Sequence, residues 1–486
     1  MSMFPNLKVV LRDLGNILVV FSVLVLLLMI VAVVFQEYFV LKSVFYVVLF
    51  SFLLGFSFRY AFRGAKETEL KHAMVCAALA WLVIPAISAY LFVSVERFSI
   101  LDAFFEAMSG WTGTGLTMAH PSELTRTMQF WRSFMQWVGG VGVIVLMVSV
   151  LGRRPGTGAF YLYKAEAREE KIKPSVISTV RAIWWIYLIF TAIGIVLFKF
   201  AGMRAWEAIN HAMTAIGTGG FTVTEESIAY YHNPWVEVAI IPIMMAGAIS
   251  FIVHYKAMHG DLKDYVKDIQ SRTFLTLLSL LLIPLVVVNY FFFYGDILAS
   301  LRFSAFQLIS GITCTGFQTA DVHAWSGAAK MLVAIAMIFG GCAGSTAGGI
   351  KVLRVFIAYK GISDAVRKAF LPKRAVLPHK LGEQVLDDKE MNRVVSATTM
   401  LILLWIIFIF VGVSVLSYVV PREYSITDII FEVCSAQGNV GLSTGITNKW
   451  LHPAGKIILI INMWIGRLEI IPVLMLFRSV FKGFKP

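Results

Sequence analysis

Apolar runs of about 20 residues, the length at which an α-helix crosses a bilayer, recur along this chain and limit its fold more than any other feature. Hydrophobic residues make up 58% of its 486 residues and charged residues only 15%, a composition that excludes an ordinary soluble domain. The runs predict ten membrane-spanning segments, at about 15–36, 39–61, 73–95, 134–151, 183–202, 235–255, 273–294, 329–350, 396–420 and 455–477. We therefore expect an all-α, multi-pass membrane protein.

The net charge of +13 reports orientation rather than a nucleic-acid partner. If the N-terminus is cytoplasmic, ten spans place on the same side the segments that carry most of the Lys and Arg residues: 61–72, 152–182, 256–272, 351–395 and 478–486. Because cytoplasmic loops are enriched in basic residues, this bias predicts that both termini are cytoplasmic in the inner or plasma membrane of the cell. The basic loops also suit contact with anionic lipid of the bilayer or with a soluble partner.

Four short blocks of the sequence look like copies of one another. Each fits the pattern [Ser/Thr]-[Gly/Ala]-x-[Thr/Gly]-x-x-Gly-[Leu/Phe], numbered here as positions 1 to 8: Ser109–Leu116, Thr214–Phe221, Ser310–Phe317 and Ser435–Leu442. Each block follows a stretch too short to cross a bilayer: Ile100–Met108, Ala205–Met213, Leu301–Ile309 and Ile426–Cys434. These stretches are predicted to be half-helices that enter the membrane and turn back at the block.

The repeat predicts four units, each built as helix, re-entrant pore loop and helix around a pseudo-fourfold pore, after an N-terminal two-helix hairpin. The boundaries expected for the hairpin and for repeats one to four are 1–70, 71–182, 183–272, 273–395 and 396–486. Each repeat has an even number of spans, so all four loops lie on one face, which the charge bias places outside. Asp102, Glu207 and Asp428 share one position near the half-helix N-termini, where we interpret them as capping residues favoured by the helix dipole.

The chemistry of the blocks suits a cation path. Non-helical backbone at membrane depth is tolerated only where it is buried in protein or lines a water-filled cavity. Glycine supplies the unusual torsions that turn carbonyl groups inward, and rings of carbonyls that replace a hydration shell are the basis of potassium selectivity. Gly- and Thr-rich external turns are the alternative, which four aligned blocks, each between a half-helix and a span, disfavour.

At these residues the chain resembles the Trk/Ktr/HKT superfamily of potassium transporters, most closely its TrkH-type membrane subunits. The segment Phe130–Gly140 also looks like that family's signature. The resemblance implies that position 7 holds the key filter glycine, and Gly115, rather than Ser, in the first block favours potassium over sodium. The potassium-binding residues it implies are Thr112, Gly113, Thr114, Gly115, Gly217, Thr218, Gly219, Gly220, Thr313, Cys314, Thr315, Gly316, Gly438, Asn439, Val440 and Gly441. We call positions 4 to 7 of each block its filter strand. The second and fourth filter strands begin with Gly instead of Thr, so carbonyls are expected to carry most of the coordination.

A glycine-rich stretch interrupts the span after the third block, where a continuous helix is not expected. By resemblance it is an intramembrane gate beneath the filter, and its small, flexible residues agree with that: Gly340, Gly341, Gly344, Ser345, Thr346, Gly348, Gly349 and Lys351. Close helix packing through small residues is the alternative. The stretch nearly matches a phosphate-binding loop, but Ile350 occupies the lysine position and no strand precedes it.

Arg467 lies within the last predicted span, where a charge is costly and usually functional. The resemblance implies that it projects into the pore below the filter and slows cations electrostatically. The alternative is that it holds the broken gate helix by hydrogen bonds to carbonyl groups, and both roles stay open.

The sequence thus predicts potassium uptake, with potassium as the bound ion and no covalent cofactor. The resemblance implies a homodimer and a cytosolic TrkA-type nucleotide-binding regulatory ring as partners. A sodium- or proton-coupled symporter of the same family stays open as an alternative. An intramembrane enzyme is disfavoured, because the sequence contains no HExxH motif, no GxSxG motif within a span and no catalytic carboxylate pair.

Overall fold

The computed structural model describes residues 3–142, 176–371, 379–381 and 384–484. The end of the predicted span 134–151 and most of the predicted loop 152–182 lie outside the described residues. So do 372–378 and 382–383 within the predicted loop 351–395.

Within the described residues 3–142 and 176–248 the chain forms eight helices, and α6 and α11 lead into the second and third repeats. They are α1 (Met3–Val34), α2 (Tyr38–Ala61), α3 (Leu70–Glu96), α4 (Ile100–Thr112), α5 (Arg126–Val141), α6 (Val176–Phe200), α7 (Ala205–Ile216) and α8 (Pro234–Ala248). The rest comprises α9 (Phe251–Met258), α10 (Asp264–Lys267), α11 (Ile269–Asn289), α12 (Ile297–Ile312), α13 (Gly327–Ile338), α14 (Val352–Ala369), β1 (His379–Leu381), β2 (Gln384–Leu386), α15 (Asp388–Val419), α16 (Ile426–Gly438), α17 (Pro453–Arg467) and α18 (Ile471–Lys482).

The helices form four copies of one motif around a common centre. In each copy a long helix leads to a short re-entrant helix, then to a block, and then to a helix that returns through the protein. The re-entrant helices are α4, α7, α12 and α16, and the return helices are α5, α8, α13 and α17. The all-α fold with four re-entrant repeats and an N-terminal hairpin agrees with the fold predicted from the sequence, apart from the antiparallel β1–β2 hairpin.

The N-terminal hairpin packs on the outside of the first repeat. α1 buries an apolar stripe that includes Ile17, Phe21 and Val25. Phe21 lies edge-on to Trp111 of α4, with ring centroids 5.8 Å apart, and 6.4 Å from Trp131 of α5. This hairpin therefore supports the first re-entrant helix from behind, without taking part in the ring of repeats.

Among the described residues, six helices are long and apolar enough to cross a membrane, or up to eight if two bent helix pairs count as one span each. The bends, 106° between α8 and α9 and 109° between α17 and α18, interrupt the predicted spans 235–255 and 455–477. These spans were predicted to be continuous, and the bends are a difference from that prediction.

Each bend has an identifiable cause. Glu469 and Ile470 have φ values of +56° and +73°, which lie outside the right-handed helical range, and Pro472 then lies in the first turn of α18. At the end of α8 the helix stops beneath the glycine-rich loop, whose Cys342 and Thr346 amides donate to the carbonyls of Ala248 and Gly247. Ser250 caps the next helix by accepting a hydrogen bond from Ile252.

The span after the third block is interrupted, as its glycine content predicted. α13 ends at Ile338 and α14 begins at Val352, and between them Phe339 and Ile350 form a single parallel bridge. We call residues 339–351 the gate loop, after the role predicted for them.

The repeats are clasped to one another in a closed ring. The fourth residue of each return helix bonds to the re-entrant helix of the next repeat, and the fourth repeat bonds back to the first. The pairs are Gln129 with Trp206 at 2.9 Å, Glu237 with Arg302 at 2.6 Å, Lys330 with Asp428 at 2.6 Å and Lys456 with Asp102 at 2.5 Å. One helix position thus carries an amide, an acid or a base in different repeats, and in each it closes the ring of repeats.

Candidate functional site

The four re-entrant helices aim their C-terminal ends at the centre of the molecule. Their N-termini are capped by polar groups: Ser99, Asp296 and Ser425 each accept a hydrogen bond from the amide three residues on. In the second repeat the Glu207 carboxylate accepts from the Arg204 amide instead. The capping predicted for Asp102 and Asp428 therefore has its structural partners in Ser99 and Ser425. Since the C-terminal end of a helix carries partial negative charge, the four ends together favour a cation.

The four blocks leave their helices by one common turn. At position 5 the backbone enters the left-handed region, with φ between 49° and 69°, at Gly113, Thr218, Cys314 and Asn439. The position 6 amide then donates to the position 1 carbonyl at 2.9 Å in every block. Four unlike sequences thus hold one backbone conformation.

The position 7 glycines lie where the four loops meet. All have positive φ, which favours glycine: 95° at Gly115, 75° at Gly220, 86° at Gly316 and 95° at Gly441. A Cβ atom added to any of them would strike the position 6 carbonyl oxygen of the next repeat. The clashing pairs are Gly115 with Gly219 at 2.3 Å, Gly220 with Thr315 at 2.0 Å, Gly316 with Val440 at 2.0 Å and Gly441 with Thr114 at 2.3 Å.

These contacts run from each repeat to the next and return from the fourth to the first. The position 6 carbonyls and the position 7 glycines therefore form a closed constriction rather than four separate turns. On one side it opens into a cavity of about 150 Å³ that touches all four glycines. We call this the filter side of the molecule and the opposite side the gate side.

Side chains from neighbouring elements hold the loops. Gln136 of α5 donates from Nε2 to the Gly219 carbonyl at 2.6 Å and accepts from the Phe221 amide at 2.9 Å. Asn439 donates to the Thr114 hydroxyl at 3.0 Å, which joins the fourth repeat to the first. The hydroxyl of Thr112, one of the potassium-binding residues that the resemblance implies, lies 2.7 Å from both the Met108 carbonyl and the Thr114 hydroxyl. Thr313 repeats this pattern, so both hydroxyls help to shape the loops.

A further set of residues, not identified from the sequence, braces the chain as it leaves each block. These residues stand three before position 1, and in each repeat they bond to the backbone three or four residues after the key glycine. The pairs are Glu106 with the Met118 amide, His211 with the Val223 amide, Gln307 with the Ala320 carbonyl and Glu432 with the Thr444 amide. The signal in the sequence was that all four stand three residues before position 1. It was hard to recognise because the four residues are of three different types.

Arg132 is the second feature that the sequence did not single out, although it lies within the segment Phe130–Gly140. Its side chain is 1% exposed and forms an ion pair with the fully buried Glu106 at 2.7 Å. It also donates to the Thr222 carbonyl at 2.9 Å and lies 4.0 Å from the centre of the Phe221 ring. Since a buried ion pair is tolerated only when its remaining hydrogen bonds are satisfied, this network fixes the first block against the second at the edge of the filter-side cavity.

The gate loop lies across the gate side of the constriction. Its Thr346 hydroxyl bonds to the carbonyls of Ile216, the last residue of α7, at 3.0 Å and Gly247 at 2.8 Å. A Cβ added to Gly348 would lie 2.3 Å from the carbonyl oxygen of Gly438, the last residue of α16. The predicted gate residues are thus brought directly beneath the predicted filter residues.

Arg467 ends α17 next to this loop. It donates from Nη1 to the Thr346 carbonyl at 3.1 Å and from Nη2 to the carbonyls of Gly139, which is in contact, and Gly140, at 3.1 Å. The guanidinium group also lies 5.4 Å from the Trp81 ring centre. These contacts match the alternative in which Arg467 ties the broken helix and the gate loop to carbonyl groups.

Lys351 lies in the same region, where its ammonium group donates a hydrogen bond to the Ala347 carbonyl. The gate loop, Lys351, Arg467 and Trp81 enclose a cavity of about 30 Å³. That is room for roughly two water molecules, so the gate side is narrow in this conformation.

The elements and loops define a multi-pass membrane protein with four re-entrant repeats, and similarity to known proteins gives its family. The family model described as a cation transport protein, TrkH, matches residues 39–482, so the chain belongs to the TrkH family of cation transport proteins. A protein of Methanocaldococcus jannaschii described as an uncharacterized cation transporter is 36% identical over 480 residues, 98% of this chain and 96% of that protein. The Trk system potassium uptake protein TrkH of Escherichia coli is 30% identical over 427 residues, 85% of this chain and 86% of that protein.

The fold is similar to a solved structure over almost its full length. The crystal structure of the potassium transporter TrkH from Vibrio parahaemolyticus matches with a TM-score of 0.84 and 27% identity, covering 98% of this chain and 99% of that one. The family resemblance predicted from the blocks is therefore confirmed, and so is the predicted fold class. Because the family and its relatives are transporters, the enzyme alternative is set aside.

Proposed function

We propose that this chain takes up potassium across the cell membrane through a carbonyl-lined filter formed by positions 4 to 7 of the four blocks. A potassium ion would shed its water and be coordinated mainly by main-chain oxygens, as in other carbonyl filters. The observation that carries the proposal is the closed contact of each key glycine with the position 6 carbonyl of the next repeat.

The choice of potassium has two supports. Gly115 is a glycine like its three counterparts, so all four strands can turn a carbonyl to the axis without a side chain intervening. The relatives named above as TrkH are described as potassium uptake protein and potassium transporter. The partial negative charge of the four helix C-termini favours potassium and sodium alike. Selectivity between the two ions therefore depends on the constriction formed by the position 6 carbonyls and the position 7 glycines.

The gate loop is proposed to close the path below the filter, with Arg467 as an electrostatic barrier beside it. The loop touches the ends of α7 and α16, and the enclosed cavity is only about 30 Å³. Conduction then requires the loop to leave this position. Arg467 would serve both roles predicted for it, since its hydrogen bonds hold the closed loop and its charge opposes a cation.

The setting of the pore is also a proposal. The charge bias supports cytoplasmic termini and a filter side that faces outward. The resemblance supports a homodimer and a TrkA-type nucleotide-binding ring on the cytoplasmic side. The four repeats are proposed to work as units bounded near 71, 183, 273 and 396.

The test is ion flux into proteoliposomes at a defined voltage with separately imposed potassium, sodium and proton gradients. We expect potassium and rubidium to enter down their own electrochemical gradient, with sodium much slower, and protein-free liposomes set the baseline. Selective potassium entry only when a sodium or proton gradient drives it would replace the proposal with the coupled symporter. Flux without discrimination between potassium and sodium would contradict the proposed filter.

A further inference from the structure

Three of the four position 5 residues carry side chains that face the gate loop. The Thr218 hydroxyl donates to the Thr346 hydroxyl at 3.1 Å. The Cys314 sulfur faces the backbone amides of Gly341 and Gly348. Asn439 lies against Gly348, where an added Cβ would be 2.9 Å from the Asn439 Cβ. The fourth residue at this position is Gly113, which has no side chain to offer.

Position 5 is an unfavourable place for these side chains. Its left-handed backbone suits glycine, as Gly113 illustrates, and is a conformation that a β-branched residue such as Thr218 rarely adopts. A residue held in such a conformation at a functional site is kept there by its surroundings. The Thr218 hydroxyl makes two contacts that a glycine would lack, with the Gly217 carbonyl at 2.9 Å and with the Thr346 hydroxyl at 3.1 Å, and the second of these reaches the gate loop.

Thr346 is the point at which the gate loop is fixed. It is 1% exposed, and its amide and hydroxyl both bond to the Gly247 carbonyl, at 3.0 and 2.8 Å. Its hydroxyl also lies 3.0 Å from the Ile216 carbonyl, and its own carbonyl accepts from Arg467 at 3.1 Å. Thr218 therefore adds a link from the filter strand itself to a residue that α7, α8 and Arg467 also hold.

We propose that Thr218 is a positioning residue that latches the closed gate loop to the second filter strand through Thr346. When the loop leaves, the hydroxyl pair must separate, so the closed state is stabilised by a bond that the open state lacks. The inference rests on the proposed function, because it assumes that the loop is a gate. It goes further by naming a filter side chain that senses the position of that gate.

The test is a double-mutant cycle of Thr218→Val and Thr346→Val, measured as potassium flux into proteoliposomes. Valine keeps the β-branched shape, so the backbone strain at position 218 is unchanged and only the hydroxyl is lost. Thr218→Val is expected to raise the flux by about threefold to tenfold, the range that one hydrogen bond supplies, without lowering the potassium-to-sodium ratio. In the Thr346→Val background it should add nothing further, because its partner is already gone.

Three variants complete the design. Thr218→Ser retains the hydroxyl and should restore wild-type flux. Thr273→Val removes a hydroxyl whose hydrogen bond, to the Ile269 carbonyl at 2.7 Å, lies within α11 and away from the gate loop, and it should leave the flux unchanged. If Thr218→Val did not fold, Thr218→Gly would replace it, since Gly113 holds the same backbone position.

An unchanged flux in Thr218→Val, or the same increase in both backgrounds, would overturn the latch. So would a fall in the potassium-to-sodium ratio with no rise in flux, which would mean that Thr218 only shapes the filter. These outcomes are read relative to the wild-type flux. A wild-type protein without potassium-selective flux would contradict the proposed function instead, so the two failures are distinguishable.

Discussion

At the scale of single residues, Arg467 has contacts and a charge that suit both of the roles proposed for it. Its hydrogen bonds to the Thr346, Gly139 and Gly140 carbonyls hold the gate loop. Its fixed positive charge lies on the gate side of the constriction. Substitutions can separate these roles, because glutamine removes the charge but keeps donors, whereas lysine keeps the charge and loses the planar guanidinium fork.

We predict that Arg467→Gln raises potassium flux by roughly tenfold, because a unit charge about 10 Å from the ion at an effective dielectric constant of about 20 contributes about 1.7 kcal/mol. Arg467→Lys should raise it less, since the repulsion persists. The measurement is the initial rate of potassium entry into proteoliposomes. Arg422→Gln, at an exposed arginine outside the site, is the matched control. Equal rates for the glutamine and lysine variants would contradict the electrostatic role.

The sequence singled out Arg467 as a candidate functional residue because it is a charge within an apolar span. It gave no such signal for Arg132, whose buried network joins the first two blocks. Arg132 stands in a segment of mixed polarity, where an arginine is unremarkable by composition. Its burial beside Glu106 depends on α4 and α5 coming together, which only the tertiary structure brings about.

At the scale of elements, the fourth residue of each return helix closes the ring of repeats. Of the two lysine pairs, Lys330 with Asp428 is the more buried. Its side chains are 7% and 2% exposed, against 7% and 17% for Lys456 with Asp102. Removing one partner of a buried pair leaves the other charge without compensation, and the cost is about 3–5 kcal/mol.

We predict that Lys330→Met lowers the thermal unfolding temperature of the detergent-solubilised protein, because the buried Asp428 then keeps only its Ser425 hydrogen bonds and the His323 ring at 3.6 Å. Lys263→Met, at an exposed lysine before α10, is the control and should leave the unfolding temperature unchanged. Adding Asp428→Leu to Lys330→Met should recover part of the loss. If Lys330→Met unfolded at the same temperature as the control, the pair would not be holding the repeats together.

The broken helices mark the limit of prediction at this scale. Glycine density indicated the interruption after α13 correctly, since the cause is written in the local sequence. The bend after α8 has another cause, because the gate loop binds the carbonyls of Gly247 and Ala248 from a segment nearly one hundred residues later in the chain. The apolar residues of 235–255 do not indicate such a distant contact, so this segment was predicted to be one continuous span.

At the scale of the whole molecule, the repeated blocks predicted that four glycines would converge, and the structure places all four around one constriction. The contacts that close the ring between repeats were not predictable in the same way. At the fourth position of the return helices the chain uses Gln129, Glu237, Lys330 and Lys456, so the same geometric task is carried by an amide, an acid and two bases. The turns that depend on backbone conformation have a recognisable sequence pattern, whereas the side-chain contacts between repeats do not.

A closed ring implies that all four position 7 glycines matter for selectivity. The measurement that tests this most directly is the reversal potential of reconstituted protein under opposed potassium and sodium gradients, for Gly115→Ser, Gly220→Ser, Gly316→Ser and Gly441→Ser. Gly260→Ser is the control, because Gly260 has a similarly positive φ of 105° but nothing within 4 Å of an added Cβ.

We predict that each of the four substitutions lowers the potassium-to-sodium permeability ratio, because each forces a Cβ into the position 6 carbonyl of the next repeat. The control should keep the wild-type ratio. If one or more of the four substitutions left the ratio unchanged, the four loops would not form a single selective constriction.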